Sequence, residues 1–141
     1  MEPNNGESIV KGRNLLLATD GKSHSDKAAQ YAIELAQLTS SKLFIVYVVS
    51  PRSEAEKQAL IDEGMGKLSE LKARAAEVGV EVTTLLEGGS PYETVLAAAD
   101  RTQAGAIIVG TSGKSSLDRV LIGSVSEFVV RNSRCTVIVV K

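Results

Sequence analysis

The sequence has little cysteine, little histidine and no excess of either charge. Cys135 is the one cysteine in 141 residues and cannot close an internal disulfide. Lys and Arg number 16 against 17 Asp and Glu, a formal net charge of -1. No long-range field draws in polyanions, so neither nucleic acid nor a membrane surface is an expected partner. Long hydrophobic runs are missing too: Leu43 to Val49 and Ala106 to Val109 fall far short of the roughly 20 residues that span a bilayer. The N-terminus lacks a charged start, an apolar stretch and a small-residue cleavage site, which together with the lone thiol points to the cytoplasm. His24 is the single histidine. No cysteine or carboxylate cluster stands at ligand spacing around it, so it reads as a solvated residue at a helix start rather than a metal ligand. Ser112, Ser115 and Ser116 lack a G-x-S-x-G elbow and would have to share that distant histidine, which argues against hydrolase chemistry. Cys135, with no histidine near it in the pattern, reads as a small buried hydrophobe.

What is present suits one compact domain, since 43% hydrophobic residues are enough for a continuous core at this length. Residues 1–12 hold Pro3, Asn4, Asn5 and Gly6 with almost no apolar partner and read as a disordered leader, leaving residues 13–141 as the domain. Beyond the leader, short apolar runs alternate with segments of helical period, the signature of a parallel sheet with crossover helices. Strands are expected at Asn14 to Ala18, Leu43 to Val49, Val80 to Leu86, Ala106 to Val109 and Thr136 to Val140. A first helix is expected behind a Ser23/Asp26 capping box, with Ala29, Ala32, Ile33 and Ala36 facing inward. An irregular helix is expected from Ser53 to Val78, weakened by Gly64 and Gly66 at about 1 kcal/mol each relative to Ala. Ser90-Pro91-Tyr92-Glu93 is expected to open a third helix, with Ser90 capping, Pro91 at the first helical position and Glu93 closing the box, and with Tyr92, Val95, Leu96 and Ala99 inward; a last helix is expected over Ser124 to Arg131.

The stretch with chemical content runs Val109-Gly110-Thr111-Ser112-Gly113-Lys114-Ser115-Ser116, continues through Leu117 to Ile122, and ends in Gly123-Ser124-Val125-Ser126-Glu127. Gly110 and Gly113 follow an expected strand, where small side chains let backbone N–H groups approach an anion closely. Gly123 and Ser124 stand at a helix start, whose unpaired N–H groups carry a partial positive charge suited to phosphate oxygens. Hydroxyls of Ser115, Ser124 and Ser126 could add donors, and Lys114 and Arg119 are the nearby cations. The stretch is not a Walker loop, because Ile108 occupies the position of the required upstream glycine, and no G-x-G-x-x-G occurs. Taken without context, the same glycines would also suit plain loop punctuation followed by a Ser124/Glu127 capping box.

The spacing Gly110-x2-Gly113-x9-Gly123-Ser124 resembles the G-2x-G-9x-G-(S/T) pattern of ATP-binding universal stress proteins. The resemblance runs from Asn14 onward, through Leu17-Ala18-Thr19-Asp20 and Gly89-Ser90-Pro91 to Val137 to Val140. It implies a three-layer α/β/α domain with a five-stranded parallel sheet in the order 3-2-1-4-5, and a nucleotide where strands one and four diverge. By the same resemblance Ala18, Thr19, Asp20 and the backbone around Val48 face the adenosine. Gly110, Thr111, Gly113, Lys114, Ser115, Gly123, Ser124, Val125 and Ser126 then surround ribose and phosphates. Asp20 would accept hydrogen bonds from the nucleoside or help hold a hydrated Mg2+ or Mn2+; its alternative role is capping the first helix. The chain departs from the family pattern at Tyr47, where many members carry histidine, at Gln103 to Ala106, which lacks an aspartate, and at Ser133 to Thr136, which lacks prolines.

Three functions follow in order of expectation. The first is an ATP-binding regulatory module of the stress response. The second is a slow ATP hydrolase, for which only Asp20, Lys114 and Arg119 offer chemistry. The third is a dimeric interaction protein without nucleotide. The apolar strand Thr136, Val137, Ile138, Val139 and Val140 would leave an exposed sheet edge, and the resemblance implies that a second copy covers it as a homodimer.

Overall fold

The computed structural model describes residues 8–22, 25–111 and 123–141. Strands β1 (Leu15–Thr19), β2 (Leu43–Val49), β3 (Val82–Gly88), β4 (Ala106–Gly110) and β5 (Thr136–Val140) alternate with helices α1 (Asp26–Thr39), α2 (Glu54–Glu77), α3 (Pro91–Thr102) and α4 (Ser124–Asn132). They form one parallel sheet in the order β3-β2-β1-β4-β5, as the resemblance implies.

Near-continuous apolar strands are what a sheet covered on both faces requires. Leu15, Leu17, Ile45, Tyr47 and Ile108 pack with α1 and α2 on one face. Leu16, Val46, Ile107 and Val109 pack with α3 and α4 on the other. The small inward face of α1, Ala29, Ala32, Ile33 and Ala36, is buried as its period predicts. Those alanines let the helix lie close to the central strands.

Several boundaries differ from the sequence expectation, each for a tertiary reason. β1 starts one residue later, at Leu15; Asn14 instead ties the strand's entry to the end of α3, its carbonyl accepting from Gly105 N–H at 2.8 Å and its side-chain amide donating to the Thr102 carbonyl at 2.9 Å. β3 starts at Val82 because Val80 closes the end of α2, its N–H bonding to the Ala75 carbonyl at 2.9 Å. α1 has Ser25 as its N-cap, without a side-chain cap bond; the expected Ser23/Asp26 capping box falls partly outside the described residues, as Ser23 and His24 do. α2 is one continuous helix of 24 residues despite Gly64 and Gly66. Val78 is its exposed C-cap, Tyr92 and Leu96 are half-buried, and Cys135 is half-buried rather than enclosed. Within the expected leader, residues 8–12 form a turn, with Gly12 N–H bonded to the Thr39 carbonyl at 2.7 Å.

No helix among the described residues is long and apolar enough to cross a membrane. β5 lies at the end of the sheet with β4 as its neighbour, and Val137, Ile138 and Val139 are only half-buried.

Candidate functional site

β1 and β4 are hydrogen-bonded neighbours, yet their register covers only Leu15↔Ala106, Leu16↔Ile107 and Leu17↔Ile108. β1 stays paired with β2 as far as Thr19↔Tyr47, and β4 with β5 as far as Gly110↔Val140. The sheet therefore splits between Ala18-Thr19 and Val109-Gly110, at its carboxyl end. The chain leaves β1 toward one side of the sheet and β4 toward the other, and such a switch point is where open α/β sheets hold ligands.

The near wall of the split is the loop from β1 to α1. The Thr19 side chain is buried, and its Oγ1 accepts from Gly21 N–H at 3.1 Å. Ser25 Oγ donates to the Lys22 carbonyl at 2.7 Å, so the 3.1 Å bond between the two hydroxyls is donated by Thr19. Thr19 thus spends its proton within the loop and shapes it. Asp20 is exposed, and its Oδ1 accepts from Lys22 N–H at 2.9 Å in an Asx turn, while the N-cap of α1 is Ser25. Ala18 and Val48 belong to the same wall as Thr19 but are half-buried on the sheet face that α3 and α4 cover, opposite the face on which Thr19 lies.

The far wall is the end of β4 with the start of α4. Gly123, in extended conformation, is the N-cap, and among the described residues no side chain caps this helix. Its first intrahelical bond runs from Glu127 N–H to the Gly123 carbonyl at 2.9 Å, which leaves the first-turn amides of Ser124, Val125 and Ser126 without intrahelical partners. The Ser124/Glu127 capping box does not form; Glu127 pairs instead with Arg131 at 3.0 Å. Ser126 is buried, and its hydroxyl donates to the Gly110 carbonyl at 2.6 Å. That bond fastens α4 to the tip of β4, so Ser126 offers a ligand its backbone amide rather than its hydroxyl proton. Thr111, half-buried, continues from Gly110. Gly113, Lys114, Ser115 and Arg119 lie outside the described residues.

Two tyrosines stand at this end: Tyr92, read from the sequence only as an inward-facing helix residue, and Tyr47, read there as a departure from the family pattern. Tyr92, at the start of α3, donates its hydroxyl to Ser124 Oγ at 3.1 Å and sets its ring edge-on to Phe128, with centroids 5.4 Å apart. Accepting from Tyr92 does not consume the Ser124 proton, and among the described residues no acceptor takes it. Tyr47 is buried on β2 beneath the β1 loop. Burial first, then the carboxylates of Glu63 and Asp20, raise its phenol pKa above the ordinary 10.0. The pairing of Tyr92 with Ser124 joins residues 32 apart in sequence, so no local motif carries it.

Chemically, the arrangement offers amide donors and a helix N-terminus to an anion on one wall and a carboxylate on the other. Among the described residues no three His, Cys, Asp or Glu side chains gather as metal ligands. The donor set fits a molecule with phosphate at one end and hydrogen-bonding hydroxyl or amino groups at the other.

The sequence matches the profile of the universal stress protein family over residues 12–141. A universal stress protein of Methanocaldococcus jannaschii is 34% identical over 147 residues, covering 97% of this chain and 85% of the relative. A universal stress protein family member from Burkholderia pseudomallei superposes with a TM-score of 0.79 at 27% identity, over 95% of this chain and 98% of that one. A universal stress protein in complex with cAMP superposes with a TM-score of 0.74 at 27% identity, over 92% of this chain and 97% of that one.

Proposed function

The chain belongs to the universal stress protein family, and from that premise we propose that it binds ATP in the split between β1 and β4 and acts as a nucleotide-dependent regulatory module in stress responses. The observation that carries this reading is the start of α4, which no side chain among the described residues caps and whose first-turn amides stand beside the point where β1 and β4 part. Phosphates sit there, with Gly110, Thr111, Gly113, Lys114, Ser115, Gly123, Ser124, Val125 and Ser126 around them and the ribose. The nucleoside end lies toward Ala18, Asp20 and the backbone around Val48, in the loop that Thr19 holds. Support comes from the complex of a relative at 27% identity with cAMP, another adenine nucleotide. If Mg2+ or Mn2+ accompanies the ligand, Asp20 is the residue to hold its water shell, since a bare carboxylate beside phosphates would repel them.

In this reading binding is the function, and ATP occupancy alters the surface shown by the segment between Gly113 and Gly123. The half-buried edge strand β5 supports a second proposal, that two copies pair through Thr136 to Val140 as a homodimer in the cytoplasm. A monomer by light scattering at micromolar concentration would contradict it.

The test of the main reading is to purify the protein without added nucleotide, precipitate it, and identify by chromatography what the supernatant contains. ATP near one per chain supports binding with little turnover, whereas ADP or AMP alone transfers weight to the slow hydrolase. No nucleotide, followed by no heat on titration with ATP and magnesium, defeats the reading and leaves the interaction protein. In the first case Gly113→Val should abolish binding by placing a side chain in the phosphate path.

A further inference from the structure

The Tyr47 ring occupies the space between two glycines that are far apart in sequence. A Cβ added at Gly64, within α2, would lie 2.7 Å from Tyr47 Cδ1 and 2.9 Å from Cε1, with Leu86 Cδ1 also at 2.9 Å. One added at Gly21, in the loop after β1, would lie 2.9 Å from Cε2 on the other edge of the same ring. Neither position has room for a methyl group while the ring stays in place. Gly21 also has φ +76, a conformation that glycine adopts without strain. Gly66, two residues beyond Gly64, has nothing within 4 Å, so the close approach belongs to Gly64 and not to the helix in general.

Lys67 supplies a second, independent contact between the same two elements. Its stem lies over Gly21, with Cγ 3.4 Å from the added Cβ, and its ammonium reaches Asp26 at 3.0 Å and Glu70 at 3.6 Å. Only 14% of this side chain is exposed. α2 therefore grips both ends of the connection from β1 to α1: Gly21 through the Tyr47 ring and the Lys67 stem, and Asp26 through the Lys67 ammonium.

We propose that Tyr47 is a positioning residue, wedged between Gly64 and Gly21 so that the placement of α2 sets the loop that presents Asp20 to the nucleotide. This rests on the nucleotide-binding reading above. The contacts are made by ring carbons, so phenylalanine should serve in place of tyrosine.

The experiment titrates the wild type, Tyr47→Phe, Tyr47→Leu, Gly64→Ala and Gly66→Ala with ATP by calorimetry, and follows amide exchange in each protein free of nucleotide. Tyr47→Phe should bind within about threefold of wild type and Tyr47→Leu about tenfold or more weakly, the fold-change of roughly one hydrogen bond lost to the ligand. Gly64→Ala should follow Tyr47→Leu, and Gly66→Ala should follow the wild type. In Tyr47→Leu the amides of Gly21 and Lys22, which Thr19 and Asp20 hold, should exchange faster while those of Leu17 and Ile45 stay protected. A purely structural role would instead lower protection throughout the sheet. Wild-type affinity and exchange in Tyr47→Leu, or equal damage from Gly64→Ala and Gly66→Ala, would overturn the proposal. If Gly64→Ala does not fold, the Tyr47→Phe and Tyr47→Leu pair decides. If the wild type binds no adenine nucleotide, the functional reading fails on its own, and the exchange at Gly21 and Lys22 still decides whether Tyr47 positions the loop.

Discussion

The two ends of the sheet are built from the same strands to opposite effect. At the amino end the strands are laced to the segments beside them: Leu15 N–H bonds to the Lys42 carbonyl at 2.9 Å, Leu43 N–H to Glu81 at 3.0 Å, and Gly105 N–H to Asn14 at 2.8 Å. At the carboxyl end the pairing of β1 with β4 stops at Leu17↔Ile108 and the chains part. The amino end has its own cleft, about 580 Å³, bordered by Gln37, Ser40, Lys42, Val78, Gly79 and Glu81. Space alone does not make a nucleotide site, however. Ser40 and Val78 are the C-caps of α1 and α2, so the amino-end cleft faces the negative ends of two helices. The carboxyl end receives helix N-termini, and α4 arrives there without a side-chain cap among the described residues. Helix direction, fixed by the parallel topology, decides which end suits an anion.

The largest expected effect breaks that contrast by charge. Ser124→Asp puts a carboxylate on the first residue of α4, where repulsion of a phosphate about 4 Å away is worth several kcal/mol at the dielectric of a protein surface. ATP affinity measured by titration should fall about a hundredfold or more. The same substitution should leave stability unchanged or raise it by about 0.3–1 kcal/mol, since a negative charge suits a helix start.

Next in size is the bolt between β4 and α4. Ser126→Ala removes the buried donor to the Gly110 carbonyl and should cost about 1–3 kcal/mol in chemical denaturation. It should also weaken ATP binding, because the first turn of α4 loses its anchor.

A smaller effect sharpens the contrast through pH. The folded chain holds the Tyr47 proton more tightly than the unfolded chain does, through burial and then Glu63 and Asp20. The stability it contributes is complete below the ordinary phenol value of 10.0 and is lost as pH rises through the higher folded value. Tyr47→Phe should therefore lose less stability than wild type between pH 10 and the alkaline limit, as read by denaturant midpoints.

The smallest effect belongs to the amino end. Lys42→Gln breaks an exposed 3.4 Å pair with Glu81 and should change stability by less than about 1 kcal/mol. Calorimetry should find ATP affinity unaltered.

The architecture was legible wherever one segment carried its own signal. β2 has the expected bounds because a β-branched and aromatic run ends at Ser50-Pro51, and β5 because its apolar run is bounded on both sides. α2, α3 and α4 start where expected, and Ser53 caps α2 with its side chain, but the other helix caps were read less well: Ser90 is the N-cap of α3 without a side-chain cap bond, and hydroxyls near α1 and α4 bond to distant groups. Ser25 binds Thr19 and Lys22 rather than capping α1 with its side chain, and Ser124 accepts from Tyr92 across a gap of 32 residues. Gly64 shows the limit most plainly. In sequence it is only a cost to helix α2; in three dimensions it is the space a buried ring requires. Gly110 and Gly123 both stand at the carboxyl end of the sheet, where the glycine spacing was read as a phosphate loop, while the intervening loop lies outside the described residues.

The central claim is that an adenine nucleotide occupies the carboxyl-end split, and amide chemical shifts during an ATP titration test it most directly. The account predicts saturable shifts at Thr19 to Lys22, Val48, Gly110, Thr111 and Gly123 to Ser126, with Ser40, Lys42, Val78 and Gly79 at the opposite end unmoved. Shifts confined to the amino-end cleft, or none at saturating ATP with magnesium, would contradict it.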